Sequence, residues 1–241
     1  MPDGTTAILF SAASVAISIV SLVTTYKQKE KQDVLGARKS LTDIMGAIAS
    51  TNTEMAKLSA QQPSQSVVLT RRNLNSQRRY LVNHAELLLK DIGNMASDID
   101  HNLLANAFDA IGDYEKADCH WRQCIHKSPA LALKSFNLRG YARFLFSRER
   151  VEEARAKYAE SLAVPLQQSD STRRNTADTH IFWAMAERDN GSVDEGRRRR
   201  DQAIEAAQQI RNMAWRAEML AYIDQIWKVE SDPPVKAPSE Q

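Results

Sequence analysis

Between Gly4 and Tyr26 the chain carries no charged residue: GTTAILFSAASVAISIVSLVTTY. A run of this length and apolar character limits what the rest can become. As a helix rising about 1.5 Å per residue it reaches roughly 35 Å, enough for a hydrocarbon layer about 30 Å thick. A cleaved secretory signal would open with basic residues and end at a small-residue site, whereas this chain begins Met-Pro-Asp. A helix buried in a soluble domain is the other alternative. The expectation is a single transmembrane helix over residues 4–26. Ala12/Ala16 and Ser14/Ser18 have the small-xxx-small spacing that allows two spans to approach closely.

The flanks set the orientation. Only Asp3 and the terminal amine precede the span, and Lys27, Lys29, Lys31, Arg38 and Lys39 follow it. Positive charge stays on the cytoplasmic side, so the N-terminus is expected outside and the C-terminal bulk in the cytoplasm.

After the span the chain reads as all-α. Gly 8 and Pro 7 are low counts, and good helix formers dominate. Residues 27–97 are expected to form a helical hairpin spacer. Val34, Ala37, Leu41, Ile44, Ile48, Thr51, Met55 and Leu58 step by three and four, a heptad seam. Such a seam pairs two chains as a coiled coil or packs on the next helix of its own chain. Gln61-Gln62-Pro63-Ser64 breaks the helix. A return helix from Val67 to about Met95 offers Leu69, Leu74, Leu81, Ala85 and Leu88 as its apolar side. Its pairs Arg71-Arg72 and Arg78-Arg79 read as a solvated face, or as contacts for anionic lipid or an acidic partner.

From His101 to Pro129 a different pattern begins. Leu104, Ala105 and Phe108 share a helical face, Gly112 and Tyr114 mark a turn, and Ala117, Trp121, Cys124 and Pro129 follow at the spacing of a second helix. Leu138, Tyr141, Ala142 and Leu145, then Val151, Ala154, Tyr158, Ser161 and Pro165, repeat it, with Glu149 where the turn glycine would stand. Trp183, Ala184 and Glu187, then Gly191, Val193, Gly196, Arg200 and Ala203, repeat it more loosely, after a polar insertion from Gln167 to Arg174. This arrangement resembles the tetratricopeptide repeat, a helix-turn-helix unit of about 34 residues. The resemblance covers residues 98–210, with two clear units and a degenerate third. Residues 211–229, with Trp215, Met219, Leu220, Ile223 and Trp227, are expected to form a capping helix over the apolar end of the stack. Residues 230–241, with three prolines, are expected to be a disordered tail.

Chemical motifs are sparse. Cys119, His120, Cys124 and His126 are metal-ligand residue types, but along one helix they spread around the cylinder and do not converge on a tetrahedral point. Cys119 and Cys124 point to different sides and should not bridge; free thiols fit a reducing compartment. No P-loop, nucleophile elbow, HExxH or dinucleotide fingerprint occurs. A net charge of +2 gives no general field for nucleic acid. Arg197-Arg198-Arg199-Arg200 lies among Asp194, Glu195 and Asp201 and reads as a partly paired face. At least one of the four must turn toward its partner helix and snorkel or pair. Neither enzyme activity, nor a cofactor, nor a metal, nor nucleic acid is expected.

The resemblance implies a binding scaffold whose first helices line a concave groove. The matching positions here are Asn102, Asn106 and Asp109, then Arg139, Arg143 and Phe146, then Ile181, Met185 and Arg188. Some co-chaperone repeats grip a C-terminal carboxylate there. Asn106, Arg139 and Arg143 are similar to that clamp, with Asn102 in place of its lysine. Asn102, Asn106, Arg139, Arg143 and Arg188 are therefore the candidate protein-binding residues. The function expected is a membrane-tethered adaptor for a protein partner. The alternative is a structural homo-oligomer built through the span and the Val34–Leu58 seam.

Overall fold

A computed structural model describes the backbone of residues 4–62 and 64–229, with side chains from residue 28 onward except those of residues 30 and 229. Nine α-helices and one 3-10 turn, with no strand, make up the described residues. The helices are α1 (Gly4–Ser59), α2 (Gln65–Ile92), α3 (Asp98–Ile111), α4 (Tyr114–Lys127), α5 (Leu131–Phe146), α6 (Val151–Ala163), α7 (Asp170–Asp189), α8 (Val193–Gln208) and α9 (Met213–Val229). The span expected over Gly4–Tyr26 and the expected tail lie outside the described side chains. Among the described residues no helix is long and apolar enough to cross a membrane.

The chain divides into two compact units. The first holds α1, α2 and residues 106–113; the second holds residues 97–105 and everything from Tyr114 onward, so the division falls within α3.

In the first unit α1 and α2 run antiparallel. The Arg78 Nη1 donates to Asn52 Oδ1 at 3.2 Å, and the Arg38 Nη2 donates to the Met95 carbonyl, at opposite ends of the pair. Ser64 caps α2 by accepting from the Val67 amide at 3.3 Å. Leu41, Ile48 and Thr51 of the heptad seam are buried, and the other five seam positions are half-buried. Of the two uses open to the seam, α2 provides the intrachain one. On α2 the buried residues are Val82, Ala85, Leu89 and Ile92. Of the apolar side expected, Ala85 is buried and Leu74, Leu81 and Leu88 are half-buried, while Leu69 is 54% exposed. Arg78, read as a surface charge, faces inward and also donates to the Ala110 carbonyl at 2.6 Å, one of the unpaired carbonyls at the end of α3.

In the second unit α5 packs on α6 and α7 on α8; α7 touches both α5 and α6, and α9 lies over α7 and α8. The same turn follows α5 and α7 here and α3 in the first unit. Gly112, Glu149 and Gly191 have φ of 82°, 59° and 84°. The amide of the following residue reaches back five positions: Asp113 to Phe108 at 3.0 Å, Arg150 to Leu145 at 3.1 Å, Ser192 to Glu187 at 2.8 Å. This left-handed reversal closes the last carbonyls of the first helix. Ser97 and Asp100 form a reciprocal cap at the start of α3. Asp170 in the first turn of α7 accepts the amides of Arg211 and Asn212, each at 2.9 Å, and these bonds hold its carboxyl below the usual range. Residues 170–174 of the expected polar insertion are thus the start of α7.

The departures in the third pair have physical reasons. A Cβ on Gly196 would stand 2.9 Å from the Ala184 carbonyl oxygen, so the close approach of α8 to α7 excludes the alanine usual there. Arg199 lies with its guanidinium 3.4 Å from the centre of the Trp183 ring, and Arg200 lies 5.7 Å from that of Trp227; these are the two half-buried arginines of the run. Glu187 is fully buried and takes both oxygens to Arg155, at 2.7 Å each, with the Trp183 indole N–H at 2.9 Å. Tyr158 stacks on Trp183 with centroids 5.4 Å apart. Beneath α9, Met219 and Ile223 close a core of Ala177, Ile181, Ala184, Ala203 and Ile210.

Candidate protein-binding groove

Phe136, Arg139 and Arg143 step by three and four along α5 and therefore share one face. Arg139 is held between two rings. Its guanidinium carbon is 5.2 Å from the centroid of Phe136 and 5.2 Å from that of Phe182 on α7. Only 12% of its side chain is exposed. Its Nη1 is buried and has no hydrogen-bond acceptor; Asp178 Oδ2, the nearest carboxylate oxygen, is 3.9 Å away. Burial lowers the pKa of Arg139 against the pull of Asp178. Burial likewise raises the Asp178 carboxyl, opposed by Arg139 and Arg174. Tyr222 of α9 stands near the same charges, and burial raises its phenol. Phe136 is 51% and Tyr222 36% exposed, so solvent reaches an aromatic surface around the guanidinium.

The candidate residues divide sharply. Arg139 lies at the centre of this surface. Arg143 is exposed, and its guanidinium has no partner among the described residues. Asn102 belongs to an internal amide network: it donates to Asn137 Oδ1 at 3.2 Å, and Asn137 donates to Asp98 at 3.2 Å and Ser128 at 3.0 Å. Arg188 turns toward α9, its guanidinium carbon 5.1 Å from the Trp227 centroid and its Nη2 3.2 Å from Asp189. Asn106 and Asp109 fall in the first unit. Phe146 and Ile181 are buried core residues, and Met185 is half-buried. Arg139 and Arg143 are thus the candidates that share a surface.

Sequence reasoning missed Phe136, Phe182, Asp178 and Tyr222. Phe136 was detectable as an aromatic residue one turn before Arg139 on a helix whose core face is Leu138, Tyr141, Ala142 and Leu145. The contribution of Phe182 depends on how α5 crosses α7, which no local pattern specifies.

No group of three His, Cys, Asp or Glu side chains able to hold a metal ion occurs among the described residues. Cys119 is exposed and Cys124 buried, both as free thiols; burial pushes the Cys124 thiol up to about 12. His120 turns away from these toward His101, with the two Nδ1 atoms 3.0 Å apart. No protein-family model, curated protein or solved structure matches this chain.

Proposed function

We propose that the chain is a membrane-tethered adaptor, with a tetratricopeptide-like array that binds a segment of a partner protein across α5 and α7. The observation that carries this reading is Arg139: a guanidinium clamped between two phenyl rings, with a buried N–H lacking an acceptor, beside an exposed phenylalanine. An unsatisfied buried donor is costly, on the order of 1–3 kcal/mol, and a turn of the Arg139 side chain outward to a ligand oxygen would relieve that cost. Exposed aromatic and arginine side chains are also the types that dominate protein interfaces. The three helix pairs with equivalent left-handed turns support the repeat reading. The uncharged run before Lys27 and the basic residues after it support a cytoplasmic array held at a bilayer. Tethering raises the effective concentration of whatever the groove binds. A homo-oligomer built through the Val34–Leu58 seam would require α2 to leave that seam.

The test is crosslinking from a photoreactive phenylalanine analogue at position 136 in the membrane-bound full chain. One discrete partner adduct is expected, greatly reduced by Arg143→Glu, with helical content unchanged. Absence of an adduct at position 136, or an adduct indifferent to Arg143→Glu, removes the groove from the account.

A further inference from the structure

Lys134 and Tyr141 are seven residues apart on α5 and share a face. At 100° per residue this face is opposite the one bearing Phe136, Arg139 and Arg143. With the end of α4 and the body of α6 it walls a cleft of about 570 Å³. Arg122 and His126 enter from α4, Lys134 from α5, and Lys157 from α6. The acidic wall residue, Glu153, is bound by Arg150 through both oxygens, at 2.8 and 2.7 Å. Asp118, behind the cleft, accepts from the Tyr141 hydroxyl at 2.7 Å, from Arg150 at 2.7 Å, and pairs with Arg122 at 2.7 Å. The acids here are therefore occupied.

The basic side chains are less so. Lys134 and His126 have no side-chain partner among the described residues. Lys157 pairs with Glu160 one turn away at 2.7 Å, in a solvent-screened contact that a ligand can exchange. The Arg122 side chain remains 64% exposed. The Ser128 hydroxyl on the wall already donates to the Cys124 carbonyl at 2.9 Å and accepts from Asn137. A neutral polyol would thus find few donors. What converges is positive charge from three helices, suited to a small ligand with several anionic oxygens. A phosphate monoester offers three acceptor oxygens and close to two negative charges, where a carboxylate offers two oxygens and one.

We infer that this cleft binds a phosphate monoester dianion, carried as a phosphorylated side chain on a partner protein. The site is independent of the groove on the opposite face of α5. The test is calorimetric titration of the full chain, in non-ionic micelles and phosphate-free buffer, with an alanine-flanked phosphoserine pentapeptide, its unphosphorylated twin and inorganic phosphate. One-to-one saturable binding of the phosphopeptide and of phosphate is expected, with none for the twin. Lys134→Glu and Lys157→Glu should each weaken the phosphopeptide about tenfold or more. Lys134→Arg should retain binding, and Arg143→Glu should leave it unchanged. The inference is overturned if the phosphopeptide does not saturate, if Lys134→Glu has no effect, or if Arg143→Glu weakens binding as much. Binding of phosphate with exclusion of the phosphopeptide overturns its assignment to a partner's side chain.

Discussion

Glu149 stands where two sister turns have glycine, and it adopts their conformation, with φ of 59°. A side chain in the left-handed region costs about 1–2 kcal/mol, and glycine returns part of this through its greater freedom when unfolded. Glu149→Gly should therefore raise stability by about 0.5–1 kcal/mol, read as a higher urea midpoint at unchanged slope. The buried pair His101 and His120 makes the opposite kind of demand. Their Nδ1–Nδ1 bond needs one protonated and one bare nitrogen, so a proton added to the accepting nitrogen sets two donors face to face. His101 is pushed down to about 4 from its ordinary 6.5 by burial first, then by His120 and Lys127, against Asp100. His180 is also pushed down to about 4, by burial and then by Arg199. Both values lie below those of the unfolded chain, which takes up more protons as acid is added. Stability should be full above about pH 6.5 and fall as the pH drops toward 4. Urea midpoints that stay flat across that window would contradict the burial of these imidazoles. In the sequence His120 looked like a metal-ligand residue; its partner lies 19 positions away, beyond the reach of any spacing within α4.

The helices themselves were largely legible, because each carries its period. The heptad seam of α1 and the repeat positions of α3 to α6 follow from apolar spacing alone, since residues on one face of a helix must be buried together. The buried face of α2 was misread at Leu69, where the partner helix, not the pattern, decides what is covered. The third helix pair was legible only as an imperfect match, and its misfits are local adjustments. Gly196 departs from alanine because α8 crosses the backbone of α7 too closely for a Cβ. Helix propensity alone favours Gly→Ala by about 1 kcal/mol, whereas forcing a methyl group against a fixed carbonyl costs about 1–3 kcal/mol. Gly196→Ala should therefore lower stability by up to about 2 kcal/mol, with a lower thermal midpoint. A higher midpoint would mean that α8 can shift away from Ala184 at little cost.

For the whole chain, two properties of the sequence organise the account: an uncharged run followed by lysines, and an array of helix pairs joined by one recurring turn. The groove was half legible. Arg139 and Arg143 could be named from their positions in the repeat, but Phe182 and Tyr222 reach that surface through the packing of α7 on α5 and of α9 on α7. The central claim is that the helical array is held at a bilayer by Gly4–Tyr26. Alkaline carbonate extraction of membranes tests it directly, comparing cells expressing the full chain with cells expressing a version starting at Lys27. The account predicts that the full chain stays in the membrane pellet and the shortened chain is released. Release of both would show that the uncharged run is no anchor and would contradict tethering as the basis of function.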